Sequence, residues 1–112
     1  MRPHLFLTYL IVLLSITCFS AAKNVRFSVN LGSLINQNKF NPSADKVYVR
    51  GTFNNWDKSN ELLVTVDNVY STTVGLPENS YSEYKYYITS PGAENNGWEN
   101  SFPVTEDGNR MI

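Results

Sequence analysis

The chain is nearly without two residue types that carry much of enzyme chemistry. Its 112 residues include one cysteine, Cys18, and one histidine, His4. Both fall within the first 22 residues, a segment that stands apart from the rest. Arg2 and His4 precede an uncharged, mostly apolar run over residues 5–19, and Ser20, Ala21 and Ala22 follow it. A basic start, a short apolar core and a small-residue exit are the pattern of a secretory signal peptide. The run is shorter than the roughly 20 residues a spanning helix needs. Residues 1–22 are therefore expected to be a leader and residues 23–112 the working domain, secreted or held at the cell surface or in the periplasm. Cys18 makes a poor lipid-attachment site, because Ser15 and Thr17 stand where a Leu-like and a small residue are wanted.

Without the leader, the domain has no cysteine and no histidine. That excludes a disulfide framework, a Cys/His zinc site, a Ser-His-Asp triad and a cysteine nucleophile. No metal and no cofactor are expected. Losing Arg2 leaves eight basic residues against ten acidic ones, a net charge of −2. A weakly acidic domain has no electrostatic case for nucleic acid or for an anionic membrane surface. No second apolar run is long enough for stable membrane insertion. Fourteen asparagines lie in the domain, yet none begins an acceptor site for N-linked glycosylation.

What is present is two-residue alternation, with no helical periodicity. Val25, Phe27, Val29 and Leu31 share one face of a first strand. Val47, Val49, Gly51 and Phe53 share a face of a second, over residues 46–53. Residues 62–66 read as a third, with Asp67–Asn68 as a tight hairpin turn into a fourth over residues 69–76. Tyr84, Tyr86 and Ile88 face one way in a fifth strand over residues 81–89, and Lys85 and Tyr87 the other. Residues 98–104 read as a short sixth strand or irregular segment. A seventh, over residues 109–112, is truncated at Ile112. Residues 32–45 read as a connection anchored by Phe40. Six or seven short strands with frequent turns predict an all-β, immunoglobulin-like antiparallel sandwich.

Both tryptophans of the domain lie in polar turns. Trp56 follows Asn54–Asn55, and Trp98 follows Asn95–Asn96–Gly97. They either plug an end of the core or offer flat surfaces for stacking. A sugar suits the second use, since its ring has an apolar C–H face and a hydroxyl rim. Lys85, outward among tyrosines, could donate to such hydroxyls. Tyr48 and Tyr70 are weaker outward candidates for a second sugar site.

The run Val47-Tyr48-Val49-Arg50-Gly51-Thr52-Phe53-Asn54-Asn55-Trp56 resembles the signature of starch- and glycogen-binding β-sandwich modules of carbohydrate-binding families 20 and 48. Glu83-Tyr84-Lys85-Tyr86 resembles their E-Y-K-[FY] strand, and Trp98–Glu99 followed by Asn109–Arg110 resembles their W-E…N-R ending. The resemblance implies an α-glucan ligand, with Trp56 and Trp98 as its platform. It also implies that Lys85 hydrogen-bonds sugar hydroxyls and that Glu99 and Asn109 assist. The implied partners are the glucan and a catalytic domain in a longer parent protein.

Two other readings compete. Asp57 and Glu99 flank the tryptophans as a glycosidase pair would, but a 90-residue sandwich rarely forms a desolvated cleft; the chain is read as no enzyme. An immunoglobulin-like interaction or spacer domain, without sugar binding, is the alternative, since fold alone does not decide function.

Overall fold

The structure, a computed structural model, describes residues 21–100 and 108–112. Residues 1–20 of the expected leader and residues 101–104 of the expected sixth strand lie outside the described residues. Six strands follow in chain order: β1 (Ala22–Asn30), β2 (Val47–Gly51), β3 (Glu61–Val66), β4 (Val69–Pro77), β5 (Glu83–Ile88) and β6 (Arg110–Met111). Every pairing is antiparallel, and the hydrogen-bonded order is β1-β4-β3-β2-β5-β6.

The alternation seen in the sequence becomes the inner faces. Phe27 and Leu31 are buried on β1 and in the residue after it, Val47 and Val49 on β2, Leu62 on β3, and Tyr70 and Leu76 on β4. Tyr84, Tyr86 and Ile88 of β5 pack partly buried against this cluster. The continuous sheet becomes a sandwich because β3 changes partner along its length. Its first residues pair with β2, Leu62 opposite Val47, and its later ones with β4, Leu63 opposite Ser71. The sheet folds there, so that β1 lies over β5. Phe27 meets the Tyr84 ring edge-on at 4.9 Å and stacks on Phe53 at 5.4 Å. The Tyr86 hydroxyl crosses the core to donate to the Ser28 carbonyl at 3.1 Å. Fully burying side chains of this size contributes roughly 1.5–3 kcal/mol each.

Three elements differ from the sequence reading. The connection after β1 contains a short helix, α1 (Gly32–Asn36), opened by Asn30, whose side chain accepts from the Gly32 N–H. Leu34 and Ile35 turn inward from it. Five residues are too few to display a helical period. The second strand ends at Gly51 rather than Phe53, because residues 52–54 form a 3₁₀ turn. Tyr70 is not outward: it is buried, edge-on to Phe40 at 5.7 Å. Phe40 thereby anchors the connection. The expected leader boundary, after Ala22, falls one residue into β1, where Ala22 pairs with Pro77 and the Ala21 carbonyl accepts from the Glu78 N–H.

Burial, with the neighbouring Tyr84, pushes the Tyr86 phenol up to about 12. The folded protein therefore holds this proton where the unfolded chain, titrating near 10, releases it. Tyr86 should favour the fold fully below pH ~10, and that contribution should be lost as pH climbs from about 10 towards 12. Tyr86→Phe is expected to lose about 1 kcal/mol at neutral pH with its hydrogen bond, yet to show a shallower alkaline loss of stability. Urea unfolding at stepped pH checks this. Equal alkaline slopes in both proteins would refute it.

Candidate functional site

The first tryptophan is placed by a turn whose residues each have a mechanical reason. At Gly51, β2 passes so close to β5 that a Cβ would stand 2.5 Å from the Glu83 carbonyl oxygen and 2.9 Å from Tyr84 Cβ. Asn54 then pins the turn with its side chain. Its Oδ1 accepts from the Gly51 N–H at 2.9 Å, and its Nδ2 donates to the Val49 carbonyl at 3.1 Å and to Asn60 Oδ1 at 2.9 Å. Asn55 and Trp56 follow in the left-handed region, with φ of 54° and 59°. Asn enters it readily; a bulky Trp does not. The Trp56 N–H bonds back to the Gly51 carbonyl at 2.9 Å, closing the turn.

The second tryptophan leaves a turn of the same logic. Asn95, Asn96 and Gly97 all have positive φ, 52°, 54° and 94°. A Cβ on Gly97 would overlap the Ile88 carbonyl oxygen. Trp98 donates its N–H to the Asn95 carbonyl at 3.0 Å and forms a lone β-bridge with Tyr87. It is that bridge, not a strand, that the structure shows at the head of the expected sixth strand.

These turns bring the indoles together on the outer face of β5. Their ring centres lie 6.1 Å apart with planes inclined at 62°. A shallow, open hollow of about 470 Å³ is lined by Trp56, Lys85, Asn95, Trp98 and Asn109. Four of the five residues singled out in the sequence thus share one surface. Lys85 makes no side-chain hydrogen bond or ion pair to any other described residue. Asn109 donates to Glu83 Oε1 at 3.0 Å.

Glu99 stands elsewhere. Its carboxylate takes Arg110 Nε on both oxygens at 3.0 Å, and Oε1 also accepts the Tyr86 N–H at 3.1 Å. In this geometry Glu99 ties β6 and the chain after Trp98 to β5, and it does not line the hollow. Three participants went unnoticed in the sequence. Asn95 lines the hollow and donates from its side chain to the Glu99 carbonyl at 3.1 Å. Arg50 and Tyr87 back the second indole: Tyr87 is edge-on to Trp98 at 5.1 Å, and the Arg50 guanidinium lies 4.3 Å from the Trp98 ring centre. The opposite parities of Arg50 and Val49 did carry a signal, since Arg50 had to face outward beside Lys85.

A larger cavity of about 820 Å³ opens on the other side of Trp98, between α1 and β5. Its walls include Val29, Leu34, Val47 and Ile88, and Trp56 is not among them. Its lining is mixed, with one indole, Trp98, beside Tyr86, Lys39, Asp45 and Glu94, whereas the smaller hollow pairs two indoles with Lys85.

A family model described as the glycogen recognition site of AMP-activated protein kinase matches residues 37–109, well over half of the chain and all five of the residues singled out. The chain belongs to this family of carbohydrate-binding modules. A 47-residue stretch is also 40% identical to the 1,4-α-glucan branching enzyme GlgB of Lactobacillus acidophilus. That stretch is 42% of this chain and 7% of the enzyme, so the similarity reaches only a small part of that protein.

The glycine at the second turn gives the module a direct stability test. Gly97→Ala combines an overlap with backbone and a left-handed φ, and should destabilise it by about 2 kcal/mol or more. Urea unfolding should show the lower midpoint. An unchanged midpoint would mean that the turn does not approach Ile88 as described.

Proposed function

We propose that this module binds α-glucan chains of the starch or glycogen type and has no catalytic activity of its own. One observation carries the reading: two indoles, inclined to each other, flank a lysine with no partner among the described residues, in a hollow open to solvent. The inclination of 62° suits a curved chain. Successive glucose units of an α-1,4 chain turn relative to one another, whereas a flat β-linked chain favours coplanar rings. Trp56 and Trp98 would stack on the C–H faces of neighbouring sugars. Lys85 would donate to ring hydroxyls, with Asn109 and Asn95 at the rim. Glu99 would act at one remove, by holding β6 in place.

The nearby carboxylates support the non-catalytic part. Asp57 accepts from the Ser59 N–H and hydroxyl, Glu83 from Asn109, and Glu99 from Arg110. Each is committed to a structural partner, and none lines the hollow. The leader pattern in residues 1–22 supports export to the cell surface, the periplasm or the medium. The partial likeness to a branching enzyme, which acts on 1,4-α-glucan, supports a catalytic domain as a second partner in a longer parent protein.

Affinity should be low. Burying about 100 Å² at each indole contributes roughly 2.5 kcal/mol per ring, and two hydrogen bonds about 1 kcal/mol each. Association opposes this by at least ~4 kcal/mol, which leaves at most ~3 kcal/mol and a dissociation constant of about 6 mM or weaker for one site. Intrinsic fluorescence of residues 23–112, which contain only Trp56 and Trp98, should change saturably with maltoheptaose in that range. Lys85→Ala should bind several-fold more weakly and Trp56→Ala, which forfeits most of one ring's ~2.5 kcal/mol, well over tenfold more weakly; both should stay folded, and cellohexaose should compete poorly. The rival interaction-domain reading expects the reverse, with stability lost on Trp56→Ala and no response to sugar. That outcome in a folded sample would sink the proposal.

A further inference from the structure

We infer that Arg50 is the positioning residue of this site, clamping the two tryptophan turns together and setting the angle between their rings. The inference rests on the α-glucan reading above. Arg50 lies on the outward face of β2, directly opposite Lys85 of β5. Its side chain engages both turns at once. Nε donates to the Trp56 carbonyl oxygen at 2.6 Å. The guanidinium centre sits 4.3 Å from the Trp98 ring centre and 4.6 Å from that of Tyr87. One planar cation thus holds the backbone of the first tryptophan and a ring face of the second.

Arg50 does not line the hollow, so it acts through the two indoles rather than on sugar. Its contact falls where conformational help is most needed. Trp56 is in a left-handed conformation that a bulky side chain disfavours, and an acceptor bond at its carbonyl restrains the peptide plane that follows. The cation–π contact is of the strongest kind, with indole as the partner. A lysine cannot replace it, because a single ammonium lacks the planar fork that stacks and donates together. The family signature around Gly51 and Trp56 explains the turn; it does not explain why the residue before Gly51 should be arginine. With this clamp the angle between the rings is set before ligand arrives, and less ordering remains for binding to supply.

The test compares maltoheptaose affinity in the wild type, Arg50→Lys, Arg50→Met and Trp56→Ala, with near-ultraviolet circular dichroism reporting coupling between the indoles. Arg50→Met should bind about tenfold more weakly, in keeping with loss of a shielded cation–π contact, and Arg50→Lys should recover only part. Both should weaken the indole couplet while far-ultraviolet spectra stay unchanged. If Arg50→Met binds as the wild type does while Trp56→Ala is impaired, the inference fails alone. It fails equally if Arg50→Lys restores full affinity, or if the loss merely tracks an unfolded fraction. Wild-type affinity in Trp56→Ala would overturn the α-glucan reading and this inference with it.

Discussion

The arrangement depends on how closely backbone approaches the two ends of β5. At its start, the last residue of β2 lies over the Glu83 carbonyl. At its end, the turn before Trp98 lies over the Ile88 carbonyl. A Cβ at either place would force the chain away, and glycine stands at both, Gly51 and Gly97. Trp56 follows the first approach by five residues, and Trp98 follows the second directly. The backbone positions from which the two tryptophan turns depart are therefore set by what the ends of β5 admit, and side-chain contacts then bring the ring centres to 6.1 Å. Interior backbone packs at crystal-like density, so a displacement of one methyl group at either end has nowhere to be absorbed.

The parts of the fold that were legible in the sequence are those governed by period two. Phe27, Val47, Val49, Leu62 and Leu76 are buried because their strands alternate, and alternation survives in a single sequence. The parts that were not legible depend on a neighbour elsewhere in the chain. Tyr70 shares the inward parity of its strand, and only its contact with Phe40 shows that the hydroxyl-bearing ring belongs to the core. Helix α1 was hidden because Leu34 and Ile35 make less than two turns of pattern. Glu99 reads like a ligand residue by its place after Trp98, but its carboxylate is claimed by Arg110, eleven residues away across undescribed chain. Arg50 was passed over for the opposite reason: an outward arginine on a strand looks like solubility, and its partners come from two turns that sequence distance separates.

Polar groups in this part of the molecule divide into those engaged in holding the turns and strand ends and those with capacity to spare. Asn54, Arg50 and Glu99 are consumed in fixing turns and strand ends, and Asn95 and Asn109 are partly consumed. Lys85 stands apart, with its stem on the outer face of β5 and no side-chain partner among the described residues. An ammonium is strongly hydrated and mobile on its stem, so leaving it uncommitted at the surface is nearly neutral. A buried lysine without a partner would be strongly destabilising, which is why the site has to be a shallow hollow and not a pocket.

That shallowness and the rigidity of the turns belong together. A shallow site gains little from burial, so it cannot also support the ordering of loose loops on binding. Asn55, Asn95 and Asn96 enter the left-handed region readily, and Trp56 alone among these turn residues is disfavoured there, by an amount of order 1 kcal/mol. It persists because its N–H and carbonyl are both held by hydrogen bonds, from Trp56 to Gly51 and from Arg50 to Trp56. The outcome is a platform whose ordering is completed during folding rather than at the moment of contact. A surface of this kind suits weak, repeated engagement with a long polymer. On the proposed α-glucan reading each engagement would be brief, and the local abundance of equivalent chain segments, not the depth of one contact, would keep the module attached.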